Sequence, residues 1–224
     1  IASRNALTSP APGTIRLRGR LGARHAANTT YLLYLHDAVL DWIRLPDADG
    51  GEKGPGVPLA KPGRDFMLDP FRNRETPDAQ GWEGEYAGKW LDAAAAMVAN
   101  RDPNDEATAT LAAKVADFAR ELRKLQEADG YAGIEPPDRR GGSWDVWNQW
   151  YFLHANLTQF EQQHEPAALY AAARAGDYLW RNYQPVGTRS LLGGAWDGAT
   201  TDVLGQLIRL YRHTGNSRYL DIGA

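Results

Sequence analysis

The 224-residue sequence contains no cysteine. Disulfides, a thiol nucleophile and a thiolate metal site are therefore excluded from these residues. The five histidines do not show the His-Glu-x-x-His spacing of a zinc-binding helix. We therefore expect neither a cofactor nor a metal site within this chain.

Long apolar runs are also missing, and so is a strong charge of one sign. No segment approaches the roughly 18 consecutive apolar residues of a membrane helix, so we expect no membrane partner. The net charge of −3 argues against nucleic acid as the main partner. No signal peptide is recognisable, but the chain opens at Ile1, as a processed or trimmed N-terminus would. A secreted and a cytoplasmic location both stay open.

The first 82 residues are the least periodic. Residues 1–13 form an extended arm, and the alternation of Ile15, Leu17 and Leu21 with arginines predicts a strand over 14–21. A helical period follows over 24–44. The Pro/Gly-rich segment 46–82 is longer than most loops in compact domains, and we expect four apolar residues to anchor it: Phe66, Met67, Leu68 and Phe71.

From Gly84 onward the sequence predicts helices almost throughout. They cover about 84–100, 103–127, 146–164, 166–183 and 200–212, with a last helix still running at Ala224. Similar turns, such as Asp102-Pro103 and Glu165-Pro166, separate them. Helix pairs recurring every fifty to sixty residues suggest stacked antiparallel hairpins. We therefore interpret the chain as about half of a closed helical toroid.

The helix after residue 145 carries two adjacent stripes. The first is apolar and suits core packing: Val146, Trp150, Leu153, Leu157 and Phe160. The second is aromatic and polar: Trp147, Tyr151, His154 and Thr158. Flat aromatic rings beside hydrogen-bonding groups suit a sugar ring, which has an apolar face and a hydroxyl rim. The alternative is an ordinary core helix with Trp and Tyr at its margin.

Acidic residues beside tryptophan occur in two glycine-flanked loops. In the first, Glu83 and Glu85 lie two residues apart, so they cannot act as a pair on a helix. One of them faces a substrate, or else both favour the helix N-terminus and Glu85 pairs with Lys89. The second loop brings Trp196, and Asp202 follows shortly after. If the hairpins stack in order, both loops and the lip at Trp144-Asp145 lie at one end of the barrel.

Several short motifs, in the same order, resemble the β-L-arabinofuranosidase family, glycoside hydrolase family 127. They span about residues 14–224: Gly81-Trp82-Glu83-Gly84, Gly88-Lys89-Trp90-Leu91, Leu125-Gln126 with Asp129-Gly130-Tyr131, Trp147…Trp150-Tyr151…His154, and Leu210-Tyr211…Thr214-Gly215-Asn216…Tyr219-Leu220. The resemblance implies a mainly α fold of (α/α)6-barrel type, incomplete in this chain. Residues 1–23 would be the arm and strand of a flanking β-sandwich, and residues 24–224 the partial barrel.

The resemblance also implies retaining hydrolysis of arabinofuranosides by a zinc-bound cysteine assisted by glutamates in a later part of the chain. None of those residues can be assigned here, so the catalytic residues are unknown and zinc belongs to the full-length protein. Only binding positions transfer, namely Glu83, His154 and Trp147, the last at a position that is histidine in some members. Lys89 and Thr200 stand where relatives have histidine.

We therefore predict a glycoside hydrolase acting on a plant-type or bacterial glycan, with a β-L-arabinofuranosidase as one option. This chain would be its N-terminal substrate-binding half, with the remaining C-terminal part as its partner. The substrate-binding residues would be Glu83, Trp147, Tyr151, His154, Trp196 and Asp202. The alternative is a non-catalytic helical glycan-binding or scaffold protein. An unsaturated uronyl hydrolase would need basic groups in the cavity, and we expect the Trp-rich stripe to offer none.

Overall fold

The computed structural model describes residues 10–38, 65–74, 81–191 and 200–222. Their regular structure is helical: α1 Gly19–Ala38, α2 Asp69–Arg72, α3 Glu85–Ala99, α4 Glu106–Lys124, α5 Ser143–Gln163, α6 Pro166–Asn182, α7 Val203–Thr214 and α8 Arg218–Asp221, with one 3₁₀ turn at Pro137–Arg139. The mainly α fold predicted from the sequence is confirmed. Within these residues, no helix is both long and apolar enough to cross a bilayer.

Three helices, α3, α5 and α7, form an inner row and run parallel. The side chains of Glu85 and Trp147 bond across α3 and α5 near their first turns, and those of Asn100 and Gln162 bond near their last, both with a separation of 62 residues. Because the paired residues are 62 positions apart in sequence at both ends, the two helices run parallel in a fixed register. Between α5 and α7 the constant separation is 52 residues.

The other helices lie behind this row. The connections from α3 to α4 and from α5 to α6 are short, so each pair forms an antiparallel hairpin. Trp90 of α3 meets Phe118 of α4 edge-on at 4.8 Å between ring centroids. Fully buried leucines fill the space between the rows: Leu91, Leu111, Leu122, Leu153, Leu157, Leu179, Leu207 and Leu210. Their burial is the main source of stability.

Helix ends follow capping chemistry visible in the sequence. Asp105 accepts a hydrogen bond from the Thr108 backbone N–H, and Glu165 does the same for Ala167, with Pro166 at the first helical position. Gly215 ends α7 with a φ of 70°. These caps explain why the predicted helices after residue 84 are confirmed to within a few residues.

The strand predicted over 14–21 is wrong. Gly19–Leu21 already belongs to α1, and residues 14–18 make no strand pairing among the described residues. Ile15 and Leu21 are 58% and 66% exposed, so the alternating pattern covers no sheet. A strand needs a partner for its backbone groups, which the alternation alone does not supply.

The anchors predicted for the long Pro/Gly-rich segment are largely confirmed. Met67, Leu68 and Phe71 are buried in and beside the one-turn α2, and the Phe66 ring contacts Tyr86 at 4.6 Å. The rest of the 46–82 segment before residue 65 and from 75 to 80 lies outside the described residues.

Candidate functional site

The open side of α5 carries a stack of three rings. Trp150 lies between Trp147, at 5.1 Å and 17° between ring planes, and His154, at 5.2 Å and 10°. All three side chains are half-buried. We use the name aromatic face for the surface formed by Trp147, Trp150, Tyr151 and His154 of α5, together with the flanking residues of α3 and α7.

Trp150 takes part in both predicted stripes. Val146, Leu153 and Leu157 are buried as expected, and the half-buried Trp150 packs against this core. Its ring is also stacked between Trp147 and His154, so it lies at the border of the core and the aromatic face.

Tyr151 is held on this face by a close approach of α3 and α5. A Cβ on Gly88 would lie 2.6 Å from both the Cβ and the carbonyl oxygen of Tyr151, so only glycine fits. Burial raises the pKa of Tyr151; Lys89 opposes this, whereas the carboxylates of Glu85 and Asp202 reinforce it. Lys89 Nζ lies 5.1 Å from the Tyr151 ring centre.

Glu85 is the carboxylate that reaches the aromatic face. Its Oε2 accepts a hydrogen bond from Trp147 Nε1 at 2.5 Å, and its Oε1 pairs with Lys89 Nζ at 2.6 Å. The i,i+4 pairing with Lys89 predicted as an alternative is therefore present, together with a contact to α5. Glu83 is only 2% exposed and lies in the turn before α3.

His154 joins all three inner helices. Its Nε2 lies 3.1 Å from Asp92 Oδ1 on α3, and its Nδ1 lies 2.9 Å from Arg209 Nη1 on α7. Because a guanidinium can only donate, we assign Nδ1 as acceptor and Nε2–H as donor to Asp92. Burial opposes ionisation of Asp92, but hydrogen bonds from His154 and Thr158 hold its pKa below the usual value.

A second polar cluster follows one turn further along. Arg209 Nη2 pairs with Glu161 Oε2 at 2.8 Å and donates to Thr158 Oγ1 at 3.2 Å. His213 Nε2 lies 2.8 Å from the other oxygen of Glu161. Arg209 of α7 bonds to Thr158 and Glu161 of α5, and Glu161 bonds back to His213 of α7, so these contacts fix the register of the two helices.

Two of the three loops expected at one end do meet. Asn148 Nδ2 donates to the Gly81 carbonyl at 2.6 Å, and a Cβ on Gly81 would lie 3.6 Å from Trp144 Cβ. The third loop, with Trp196, lies outside the described residues. Asp202 is exposed at the start of α7, close enough to influence Tyr151.

Asp145 is neither an N-cap nor a cavity lip. It lies in the first turn of α5, 2% exposed, where its carboxylate accepts hydrogen bonds from the Tyr131 hydroxyl at 2.5 Å and from the Gly141 N–H at 2.8 Å. Burial raises its pKa to about 6. The buried carboxylate connects the loop that precedes α5 to the helix start beside Trp144 and Trp147.

Sequence reasoning missed Asp92 and Arg209 as site residues, although their spacing was visible. Glu85, Lys89 and Asp92 follow one another at i, i+4 and i+7 on α3. Gln206, Arg209 and His213 do so at i, i+3 and i+7 on α7. Each set forms a polar stripe of helical period, matching the stripe on α5.

The sequence predicted no basic group on the Trp-rich stripe of α5, but Lys89 of α3 and Arg209 of α7 lie beside that stripe. Each is paired with a glutamate. Over the described part of the chain, no group of three or more His, Cys, Asp or Glu side chains could hold a metal ion. The residues that the structure describes therefore do not fit a zinc site, and we derive no step through one.

Comparison with known proteins decides the family. Residues 55–224, about three quarters of the chain, match the family described as the β-L-arabinofuranosidase GH127 catalytic domain. The chain belongs to glycoside hydrolase family 127. No curated protein sequence matches it.

A solved structure shares the fold of this family 127 chain. It is the crystal structure of Ara127N-Se, a GH127 β-L-arabinofuranosidase from Geobacillus stearothermophilus T6, with a TM-score of 0.64 and 20% sequence identity. The match covers 92% of this chain and 31% of that chain, so this chain spans about a third of that relative's length. At this identity the likeness shows the fold. The inner and outer rows are therefore part of an α/α-barrel-type arrangement.

Thr200 and Lys89 are the two positions where the sequence resemblance led us to expect histidine in relatives. The side chain of Thr200 is buried, and its hydroxyl donates to the Leu191 carbonyl at 2.5 Å. Lys89 pairs with Glu85 at 2.6 Å.

Proposed function

We propose that this chain is a substrate-binding part of a glycoside hydrolase and that it holds a sugar against the aromatic face. The observation that carries the proposal is the stack of Trp147, Trp150 and His154 beside the polar groups of α3 and α7. Half-exposed rings offer an apolar platform, and the adjacent carboxylates and amides suit sugar hydroxyls.

Within the site we propose distinct roles. Trp147 and Tyr151 would contact the ring of the sugar, and His154 would contact it through the imidazole ring that Asp92 and Arg209 hold in place. Asp202 would contact the sugar at the open end, and Trp196 is proposed on sequence grounds alone. Glu83 is proposed to support the turn beneath the site, because it is only 2% exposed.

The bond-breaking groups are proposed to come from the remaining part of the protein. Glu85 and Glu161 each form an ion pair with a cation, and Asp92 accepts a hydrogen bond from His154. Carboxylates held in this way are oriented for binding a ligand rather than placed to donate a proton to it. The same pairing favours the second candidate, a non-catalytic glycan-binding protein.

A panel of aryl glycosides, including a β-L-arabinofuranoside, tests the proposal on the full-length protein with and without a chelator. Pentofuranoside hydrolysis that stops on chelation supports the metal-assisted chemistry implied by the family. Hydrolysis that survives chelation supports a glycosidase without a metal. Sugar binding with no hydrolysis of any substrate supports the non-catalytic candidate, and the absence of both binding and hydrolysis refutes the proposal.

A further inference from the structure

A second, basic groove lies behind the inner row, between α4 and α6. It encloses about 700 Å³, and its walls include Arg123 of α4, Arg174 of α6 and the ring of Tyr170. The amide groups of Gln159 and Gln163 on α5 contribute to its lining. None of the residues that form the aromatic face lines this groove, so whatever binds here is independent of the proposed function.

Arg123 is oriented by neutral acceptors. Its Nη1 donates to Gln159 Oε1 at 2.6 Å and to Asn156 Oδ1 at 3.4 Å. Burial lowers its pKa, with Glu165 opposing the effect. Held by amides rather than by a carboxylate in contact, the guanidinium keeps donors free for an oxyanion ligand.

Arg174 is the second cation of this kind. Its Nη2 donates to the backbone carbonyls of Glu127 and Ala128. The nearby cations Arg120 and Lys124 differ, because they pair with Asp117 and Glu121. The groove therefore contains two arginines whose described contacts are neutral, against the single lining carboxylate of Glu165.

The exposed ring of Tyr170 is the part of the groove that would favour a sugar acid over a simple anion. Its side chain is 67% exposed at the groove, with the Arg174 guanidinium 6.0 Å from the ring centre. An exposed aromatic ring beside Arg174, in the same groove as Arg123, offers a stacking surface for a pyranose or furanose ring. The amides of Gln159 and Gln163 bond to each other at 3.2 Å, and each has a second N–H that could serve a ligand hydroxyl.

We propose that this groove binds an acidic saccharide, with the carboxylate on Arg123 and Arg174 and the sugar ring against Tyr170. The ligand is distinguished from a free inorganic anion by the ring contact. It is distinguished from a neutral sugar by two guanidinium groups whose described hydrogen bonds all go to neutral acceptors.

Calorimetric titration of the full-length protein tests this inference. Trigalacturonate is the probe, galactotriose the neutral counterpart, and inorganic phosphate the simple anion. We expect trigalacturonate to bind at least about tenfold more tightly than either of the other two, and its affinity to fall as salt rises from 50 to 300 mM. If galactotriose binds as tightly as trigalacturonate, the arginines do not recognise the ligand's carboxylates. If phosphate binds as tightly as trigalacturonate, the Tyr170 ring does not contribute to binding. Either result contradicts the inference.

Variants locate the site. Arg123→Gln and Arg174→Gln should each weaken trigalacturonate binding about tenfold, the loss expected for one charged hydrogen bond. Tyr170→Ala, at an exposed position where folding is not at risk, should weaken it severalfold. The matched control Arg24→Gln removes an exposed arginine of α1 and should change nothing. Unchanged binding in Tyr170→Ala and Arg174→Gln overturns the inference, even if Arg123→Gln fails to fold.

Discussion

Asp92 Oδ1 and His154 Nε2 lie 3.1 Å apart, on parallel helices that keep a 62-residue register. This contact fixes the ring of His154 flat against Trp150 and presents its edge to the open face. The pair is about 30% exposed on each side, so a ligand can reach it. A polar contact of this kind, beside a ring stack, is the core of the proposed sugar site.

The first prediction concerns His154→Ala. Loss of this imidazole ring should weaken sugar binding about tenfold, the equivalent of roughly 1.4 kcal/mol. Because the variant also loses the contacts to Asp92 and Arg209, the melting temperature should fall by a few degrees, without loss of the fold. Titration calorimetry and a thermal melt measure the two effects. A large fall in melting temperature would show instead that His154 is needed mainly for folding.

The second prediction separates the two contributions of Trp147. Trp147→Phe keeps a stacking ring but removes the indole N–H that donates to Glu85. We expect it to retain most of the sugar affinity, whereas Trp147→Ala should lose about tenfold. Equal affinities of Trp147→Ala and the wild type would remove this residue from the site.

The third prediction concerns Gly88. In Gly88→Ala the new methyl would lie 2.6 Å from Tyr151, so α3 and α5 must separate, at a cost of about 1–3 kcal/mol in the free energy of unfolding. Gly205→Ala is the matched control on α7, where a Cβ meets nothing within 4 Å. It should stabilise by about 0.5–1 kcal/mol. Denaturant unfolding of both variants measures the difference, and destabilisation of equal size in both would contradict the close approach at Gly88.

The fourth prediction uses the buried carboxyl of Asp145, whose folded-state pKa of about 6 lies above its ordinary value. In this range the folded state binds more protons than the unfolded state, so the free energy of unfolding falls as pH rises from about 4 to 6 and then levels off. At most, about 3 kcal/mol is lost through this one group. Well above pH 6 the carboxyl is ionised in both states, and burial makes this ionised form less favourable in the folded state than in the unfolded state.

Asp145→Asn should remove that contribution while keeping an acceptor for Tyr131. The difference between wild type and variant should therefore change between pH 4 and 6 and stay constant above pH 7. Using the difference cancels other groups such as Asp92, whose lowered pKa makes the folded state less stable at low pH. A pH-independent difference would mean that folding does not raise the pKa of Asp145.

The sequence predicted the helices well because helical period and capping residues act locally. Asp105, Glu165 and Gly215 each mark a helix end through contacts within a few residues. The strand over 14–21 was predicted wrongly because its alternation gave no information about a partner strand. Part of the site could be predicted from the sequence, because Trp147, Tyr151 and His154 share one helix face.

The rest of the site depends on register between helices, which a single sequence does not show. Asp92 meets His154 only because α3 and α5 are parallel with a separation of 62 residues, and Arg209 joins them through the 52-residue register of α7. Trp150 lies at the border of two stripes. The sequence placed it on the apolar stripe, and its stacking between Trp147 and His154 is visible only in the structure.

The most direct test is ¹⁹F NMR of the full-length protein labelled with 5-fluorotryptophan and titrated with methyl β-L-arabinofuranoside. Signals are assigned by Trp→Phe variants. The account predicts shifts for Trp147 and Trp150, which line the aromatic face, and none for Trp90, which is 3% exposed in the core. Calorimetric binding of this sugar with unmoved Trp147 and Trp150 signals would contradict the proposed site.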